Sequence, residues 1–181
     1  LRRQFNQRPV AALRFLHTGQ VLDLARARQG VVAALQAAGA TVRAGQAQAL
    51  ELQAGRAHAR CADGSRLTGD VVLVAAGAGS ATLLRATEGA VPLIAERGYH
   101  LESAQPTAEQ VLPPVAFEDR SVIVTRFASG LRIAGFTEFS RAEAAPDPRK
   151  WAALARHAAA LGLPMATGAR PWIGARPTLP D

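Results

Sequence analysis

Val71 to Ala76, VVLVAA, is a continuous apolar run rich in β-branched residues, bounded by Asp70 and Gly77. A run of that kind fits a strand of a parallel sheet, because helices covering both faces remove the usual alternation of apolar and polar positions. It leads into Gly77-Ala78-Gly79-Ser80, and a short helix is predicted from about Ser80 to Ala86. Small residues at such a junction let a ligand's phosphate or ring approach the backbone, while a helix N-terminus favours negative charge. On this segment alone, a plain strand-to-helix turn is the simpler explanation.

The surroundings extend the pattern. Leu22 to Ala38 places apolar residues at helical spacing, with Gly39 available to cap the C-terminus. TVRAG, AQALEL and GRAHARC then read as short strands, and Ala62-Asp63-Gly64 as a turn before SRLTG. Beyond Pro92 four strands are predicted, at Leu93–Ser103, Val115–Asp119, Ser121–Phe127 and Leu131–Phe139, the last two joined through Ala128-Ser129-Gly130 into a hairpin of an antiparallel sheet. Asp147 and Pro148 supply the N-cap and first position of a helix from about Arg149 to Leu161, with Trp151, Leu154, Ala158 and Leu161 on one face and Gly162 as its stop. The proline-rich tail from Arg170 to Asp181 is expected to be extended and loop-like.

With 181 residues and 49% hydrophobic content, the chain can bury a sizeable core in one domain or one and a half. No apolar run approaches the roughly 18 residues needed to span a membrane, so a soluble chain is expected. The lone Cys61 supports neither a disulfide framework nor a Cys-based zinc site, and His17, His58 and His157 stand apart from any carboxylate or thiol at ligand spacing, so no metal is assigned. G-x-S-x-G is absent, which argues against a serine hydrolase. The net charge of +7 raises nucleic acid as a partner, but 20 of the 21 basic residues are Arg, scattered among acids apart from an N-terminal excess. The nine aromatics do not interleave with them, so a base-stacking platform is not expected. A non-catalytic basic module contacting an acidic partner or nucleic acid through Arg2, Arg3, Arg8 and Arg14 is the alternative reading.

Helix, strand, β-meander with an ADG turn and VVLVAAGAGS together resemble the middle of the dinucleotide-binding domain of FAD-dependent amine and amino-acid oxidoreductases. Arg97-Gly98-Tyr99-His100, Gly130-Leu131-Arg132-Ile133-Ala134-Gly135, Thr137-Glu138-Phe139 and Arg176-Pro177-Thr178-Leu179-Pro180-Asp181 resemble successive landmarks of the D-amino-acid oxidase and D-amino-acid dehydrogenase superfamily. The likeness runs from about Thr18 to Asp181. It implies an α/β (α+β) fold: an incomplete, Rossmann-like FAD-binding domain over residues 1–90, an antiparallel-sheet substrate domain over 91–170, and a return to the FAD domain over 171–181. No G-x-G-x-x-G occurs in the sequence, Gly79 stands where the family usually carries a large aromatic residue, and Phe136 interrupts the usual Gly-Thr pair. The chain is therefore expected to be an interior piece of such an enzyme, inactive alone and not retaining FAD, with the missing parts of its own FAD domain as partners. Its expected location is the cytoplasm, free or peripheral to the inner face of the membrane.

The resemblance implies that a flavin accepts a hydride from the α-carbon of a small-molecule amino-acid substrate, with no catalytic acid or base supplied by the protein. Arg132, on a predicted strand, can hold a carboxylate through two parallel hydrogen bonds; an ordinary surface arginine is the alternative. Arg176 lies in a proline-braced segment that the resemblance places near flavin or substrate. Tyr99 and His100 are adjacent on a strand, so one faces the site and the other the core or solvent, a satisfied structural histidine being the plainer reading of His100. Substrate contact is thus assigned to Tyr99, His100, Arg132 and Arg176, and cofactor contact to Ala76, Gly77, Ala78 and Arg176.

Overall fold

A computed structural model of the chain describes residues 5–6, 8–85, 87, 89, 91–104, 113–163, 165 and 168–180. Arg2, Arg3, Ala86 and Asp181, named above, lie outside the described residues. The fold is α+β: three helices, α1 (Leu24–Ala37), α2 (Ser80–Leu84) and α3 (Pro148–Ala160), accompany two sheets among the described residues. One sheet has the order β1 (Ala47–Gln53), β2 (Arg56–Cys61), β3 (Arg66–Gly69). In the other, β5 (Val115–Phe117), β6 (Val122–Phe127), β7 (Gly130–Ser140), β4 (Ile94–Ser103) and β8 (Arg170–Thr178) lie side by side in that order. Contacts divide the chain into two compact units, one of Leu1–Ala33, Gly98–Glu138 and Ala145–Gly174, the other of Ala34–Arg97, Phe139–Ala144 and Ala175–Asp181.

The first unit holds the core. Alternation along the strands sends Tyr99 and Leu101 of β4, Val122 and Val124 of β6, and Leu131 and Ile133 of β7 into one cluster with Leu154, Ala158 and Leu161 at α3. The α3 start is as its sequence dictates: the Asp147 carboxylate accepts from the Arg149 N–H at 3.0 Å, and Pro148 occupies the first turn, where a missing N–H costs nothing. The hairpin between β6 and β7 pairs Phe127 with Gly130. Gly130 sits at φ +142°, and a Cβ there would fall 1.8 Å from the Ser103 carbonyl oxygen, so only glycine lets β7 start this close to the end of β4.

The second unit contains the small meander, with β1 antiparallel to β2 and β2 to β3, closed at Asp63-Gly64 by a turn in which Asp63 accepts from the Ser65 N–H and hydroxyl.

Three expectations need correction. Thr41 to Gly45 forms no strand; pairing begins at Ala47. Val71 to Ala76 is not a ladder strand and belongs to neither sheet of the described residues; Val71 and Leu73 are 85% and 88% exposed. A parallel strand draws its hydrogen bonds and its cover from neighbouring βα units, and the described residues provide none at this place. The tail is extended but not a loop: Arg170 to Thr178 joins the larger sheet as β8 beside β4, a position at the edge where Pro171 and Pro177 are tolerated.

Candidate functional site

β4 divides its side chains between two faces. Tyr99, 1% exposed, points toward α3, where its hydroxyl donates to the Glu138 carboxylate at 2.8 Å and accepts from the Asp147 N–H at 3.0 Å. Lys150 pairs with the same Glu138 and lies 4.7 Å from the Tyr99 ring centre. Tyr99 is thus a strut between sheet and helix, and its sequence neighbour His100 takes the opposite face.

There His100 meets Glu102 and Arg132. The His100 ring stacks on the Trp172 indole, with centroids 4.4 Å apart and planes at 15°. Burial, assisted by the nearby Arg132 cation and opposed by Glu102, pulls its pKa down from 6.5 to about 4. Near neutral pH the imidazole is uncharged, so the 3.8 Å approach of its Nε2 to Glu102 is not an ion pair. Arg132, one strand over on β7, donates from Nη2 to Glu102 at 3.2 Å and lies face-on to Phe127, 4.3 Å from the ring centre. Glu102 also accepts from the Ser129 hydroxyl at 2.7 Å, and this bond, then that from Arg132, hold its pKa below the ordinary value against the effect of burial. His100 Nε2 and Arg132 Nε are both buried with no hydrogen-bond partner. Unpartnered polar atoms of this kind are costly and invite a ligand that satisfies them. Arg132 also lines a hollow of about 230 Å³ with Leu22, Asp23, Leu24, Ala25, Phe127 and Ser129. Its far wall is fixed by the Ala128 N–H donating to the Leu22 carbonyl at 2.8 Å and by Gln20 Nε2 donating to the Arg126 carbonyl at 2.7 Å.

The structure therefore brings His100 and Arg132 together and sets Tyr99 behind the sheet. Arg176 and the Ala76 to Ala78 segment belong to the second unit. There Arg176 Nη1 donates to Glu96 at 2.5 Å, and Thr178 donates to the same carboxylate at 3.0 Å. Glu102 and Ser129 were missed by sequence reasoning. The period-2 rule, which puts 100 and 102 on one face of a strand, was the available signal for Glu102.

Ala76 to Gly79 turns through a short 3-10 segment into α2, with the Ala76 N–H donating to the Ser80 hydroxyl at 3.1 Å. Gly77 has φ +57°, and a Cβ there would meet nothing within 4 Å, so bare backbone faces open space. That geometry fits a flat or anionic group laid against the turn, in which Ala76, Gly77 and Ala78 would hold one edge of FAD. No helix of the described residues is long and apolar enough to cross a membrane, and no group of three or more metal-ligating side chains occurs among them.

Solved oxidases share this architecture. Iminodiacetate oxidase from Chelativorans sp. BNC1 superposes with a TM-score of 0.64 at 20% identity, and glycine oxidase from Geobacillus kaustophilus with 0.66 at 17%. In each case 84% of this chain is covered and 42% of the other. The chain accordingly shares the fold of the matched part of these two structures. A D-amino-acid oxidase of Bradyrhizobium diazoefficiens is 31% identical over 150 residues, 80% of this chain and 35% of the relative, so the chain spans about a third of that relative's length. Residues 1–181 match the DAO family of FAD dependent oxidoreductases, and the chain belongs to that family.

Proposed function

We propose that this chain forms the substrate wall of an FAD-dependent oxidoreductase acting on D-amino acids or related amines, with Arg132 and His100 holding the substrate carboxylate. The observation that carries the reading is the pair of buried, unpartnered nitrogens, Arg132 Nε and His100 Nε2, on one face of the sheet. With the imidazole proton on Nε2, a carboxylate accepting from both would satisfy two groups that otherwise cost free energy, and the guanidinium supplies the opposite charge. Phe127 and Glu102 hold the guanidinium plane, so its orientation is set before the ligand arrives. Ala76, Gly77 and Ala78 are assigned to the flavin, and Arg176, braced by Glu96 in the other unit, to the flavin or the substrate. When bound, FAD would supply the acceptor for the hydride of the α-carbon; with loss of a proton from nitrogen the amino acid would become an imino acid, which water would hydrolyse to the keto acid and ammonia. Cutting the chain's role to orientation explains why no general base need be found in it. The chain alone is read as an inactive piece of this enzyme.

The test is a pair of substitutions in the FAD-bound protein that carries this chain. Arg132→Leu is expected to raise KM at least about tenfold, roughly 1.4 kcal/mol, with flavin retained. Tyr99→Phe, behind the sheet, is expected to leave KM unchanged. A normal KM in Arg132→Leu removes Arg132 from the carboxylate site.

A further inference from the structure

Trp172 is half exposed on the edge strand β8, which lies beside β4. A half-exposed indole at a sheet edge is ordinarily free to turn, yet this one is held in place. Two residues on, Gly174 presents no side chain on the same face of the strand, and the indole lies over it so closely that a Cβ there would fall 1.9 Å from the ring's Cη2. Gly174 sits within β8 at a φ outside the left-handed region, so its missing side chain serves this close approach and not a turn. The Trp172 carbonyl also accepts from the Trp151 indole N–H at 3.2 Å, which ties the backbone at this point to α3. What the fixed indole meets is the His100 ring, with centroids 4.4 Å apart and planes at 15°.

We infer that Trp172 is a positioning residue: laid over Gly174 and stacked on His100, it fixes the plane of the imidazole so that Nε2 is presented to the carboxylate that Arg132 holds. This rests on the carboxylate role proposed above for His100 and Arg132. An imidazole does not hold its own plane, because rotation about its last side-chain bond is broad, and the unpartnered Nε2 supplies no hydrogen bond to restrain it. A flat ring pressed against it removes that freedom before a ligand arrives, and so lowers the entropy lost on binding. The indole also keeps water from one face of the imidazole, which favours its uncharged form. The charged groups that act on that ring are Arg132 from β7 and Glu102 from β4, while β8 brings the uncharged indole.

The test follows the His100 ring and the Arg132 Nε–H by nuclear magnetic resonance in the full chain, with acetate as a bare carboxylate. Trp172→Ala is expected to raise the His100 titration midpoint from about 4 to above about 5, and to weaken acetate binding near neutral pH at least about fivefold. Gly174→Ala keeps the tryptophan but puts a methyl group where its ring lies, and is expected to act in the same direction. Trp172→Phe, which restores a flat ring, is expected to recover acetate binding to within about twofold of the unaltered chain. A merely structural tryptophan would lower the melting temperature and leave both the midpoint and the acetate affinity where they were. Folded Trp172→Ala and Gly174→Ala chains that bind acetate as the unaltered chain does overturn the inference, and Gly174→Ala decides the matter if Trp172→Ala does not fold. If acetate moves the Arg132 resonance equally in every chain, only the role of Trp172 falls. If acetate leaves it unmoved in the unaltered chain, the carboxylate role of Arg132 falls and the inference falls with it.

Discussion

His100 titrates at about 4 in the folded chain because the sheet and Trp172 bury its ring, against 6.5 when exposed. Between those values the unfolded chain binds more protons than the folded one, so stability is full above about pH 6.5 and is lost as pH falls toward 4. Glu102 and Asp147, whose pKa values are lowered, give up their contributions only below the ordinary carboxylate range, so the windows separate. His100→Gln is expected to flatten the fall between pH 6.5 and 4.5, a difference on the order of 1–3 kcal/mol. Urea unfolding of both chains at the two pH values checks this; parallel losses in the two would mean that His100 is not the group responsible. Tyr99 answers to a different test. Tyr99→Phe removes the donor to Glu138 and the acceptor of the Asp147 N–H, and should cost about 1–3 kcal/mol of stability with no effect on carboxylate binding. Residue types alone cannot tell these neighbours apart. Their fates follow from which face of β4 meets α3, and that depends on the register of the whole sheet.

At the scale of elements, α3 was legible almost residue by residue. Asp147-Pro148 is a start signal with a local mechanism, and Leu154, Ala158 and Leu161 at helical spacing are all buried. Leu154→Ala should cost about 2–5 kcal/mol, because a side chain with no exposure leaves a cavity that rigid strands cannot fill. Asp147→Ala should lower the melting temperature by about 2–6 °C, and Asp147→Asn by less, since the amide oxygen can still accept from Arg149. Thermal melts of the three variants check the order. The hairpin at Ser129-Gly130 was equally visible, since small turn residues flank two apolar runs. Val71 to Ala76 was misread for an instructive reason. Composition records what a segment is suited to, and a β-branched run is suited to a buried strand, but pairing is a property of the neighbours. The tail failed in the opposite direction: its prolines suggested a loop, whereas an edge strand can present its proline nitrogens to solvent and still pair along its other side.

For the whole molecule, what matters is which surface the chain leaves uncovered. Leu24, Val31 and Leu35 on α1 are about half exposed and α1 buries none of its residues, while Val71 and Leu73 are almost fully so. Helix α1 carries an apolar stripe and yet contributes nothing to the buried core, so propensity and the Gly39 stop, rather than packing, define it here. The sequence contains no G-x-G-x-x-G turn to hold a pyrophosphate, and the flavin contact proposed above for Ala76, Gly77 and Ala78 would supply only one edge of a cradle. The chain by itself is therefore expected to elute colourless from gel filtration after incubation with excess FAD, and to bind a hydrophobic dye through its bare apolar surface. Val71→Ser combined with Leu73→Ser should weaken dye binding while shifting stability by no more than about 0.5 kcal/mol, because these side chains touch little that is lost on unfolding. A yellow protein peak would show that a complete flavin cradle forms without that motif. A large loss of stability in the double variant would show that Val71 and Leu73 are packed after all, and the absence of a neighbour for the run would then need another account.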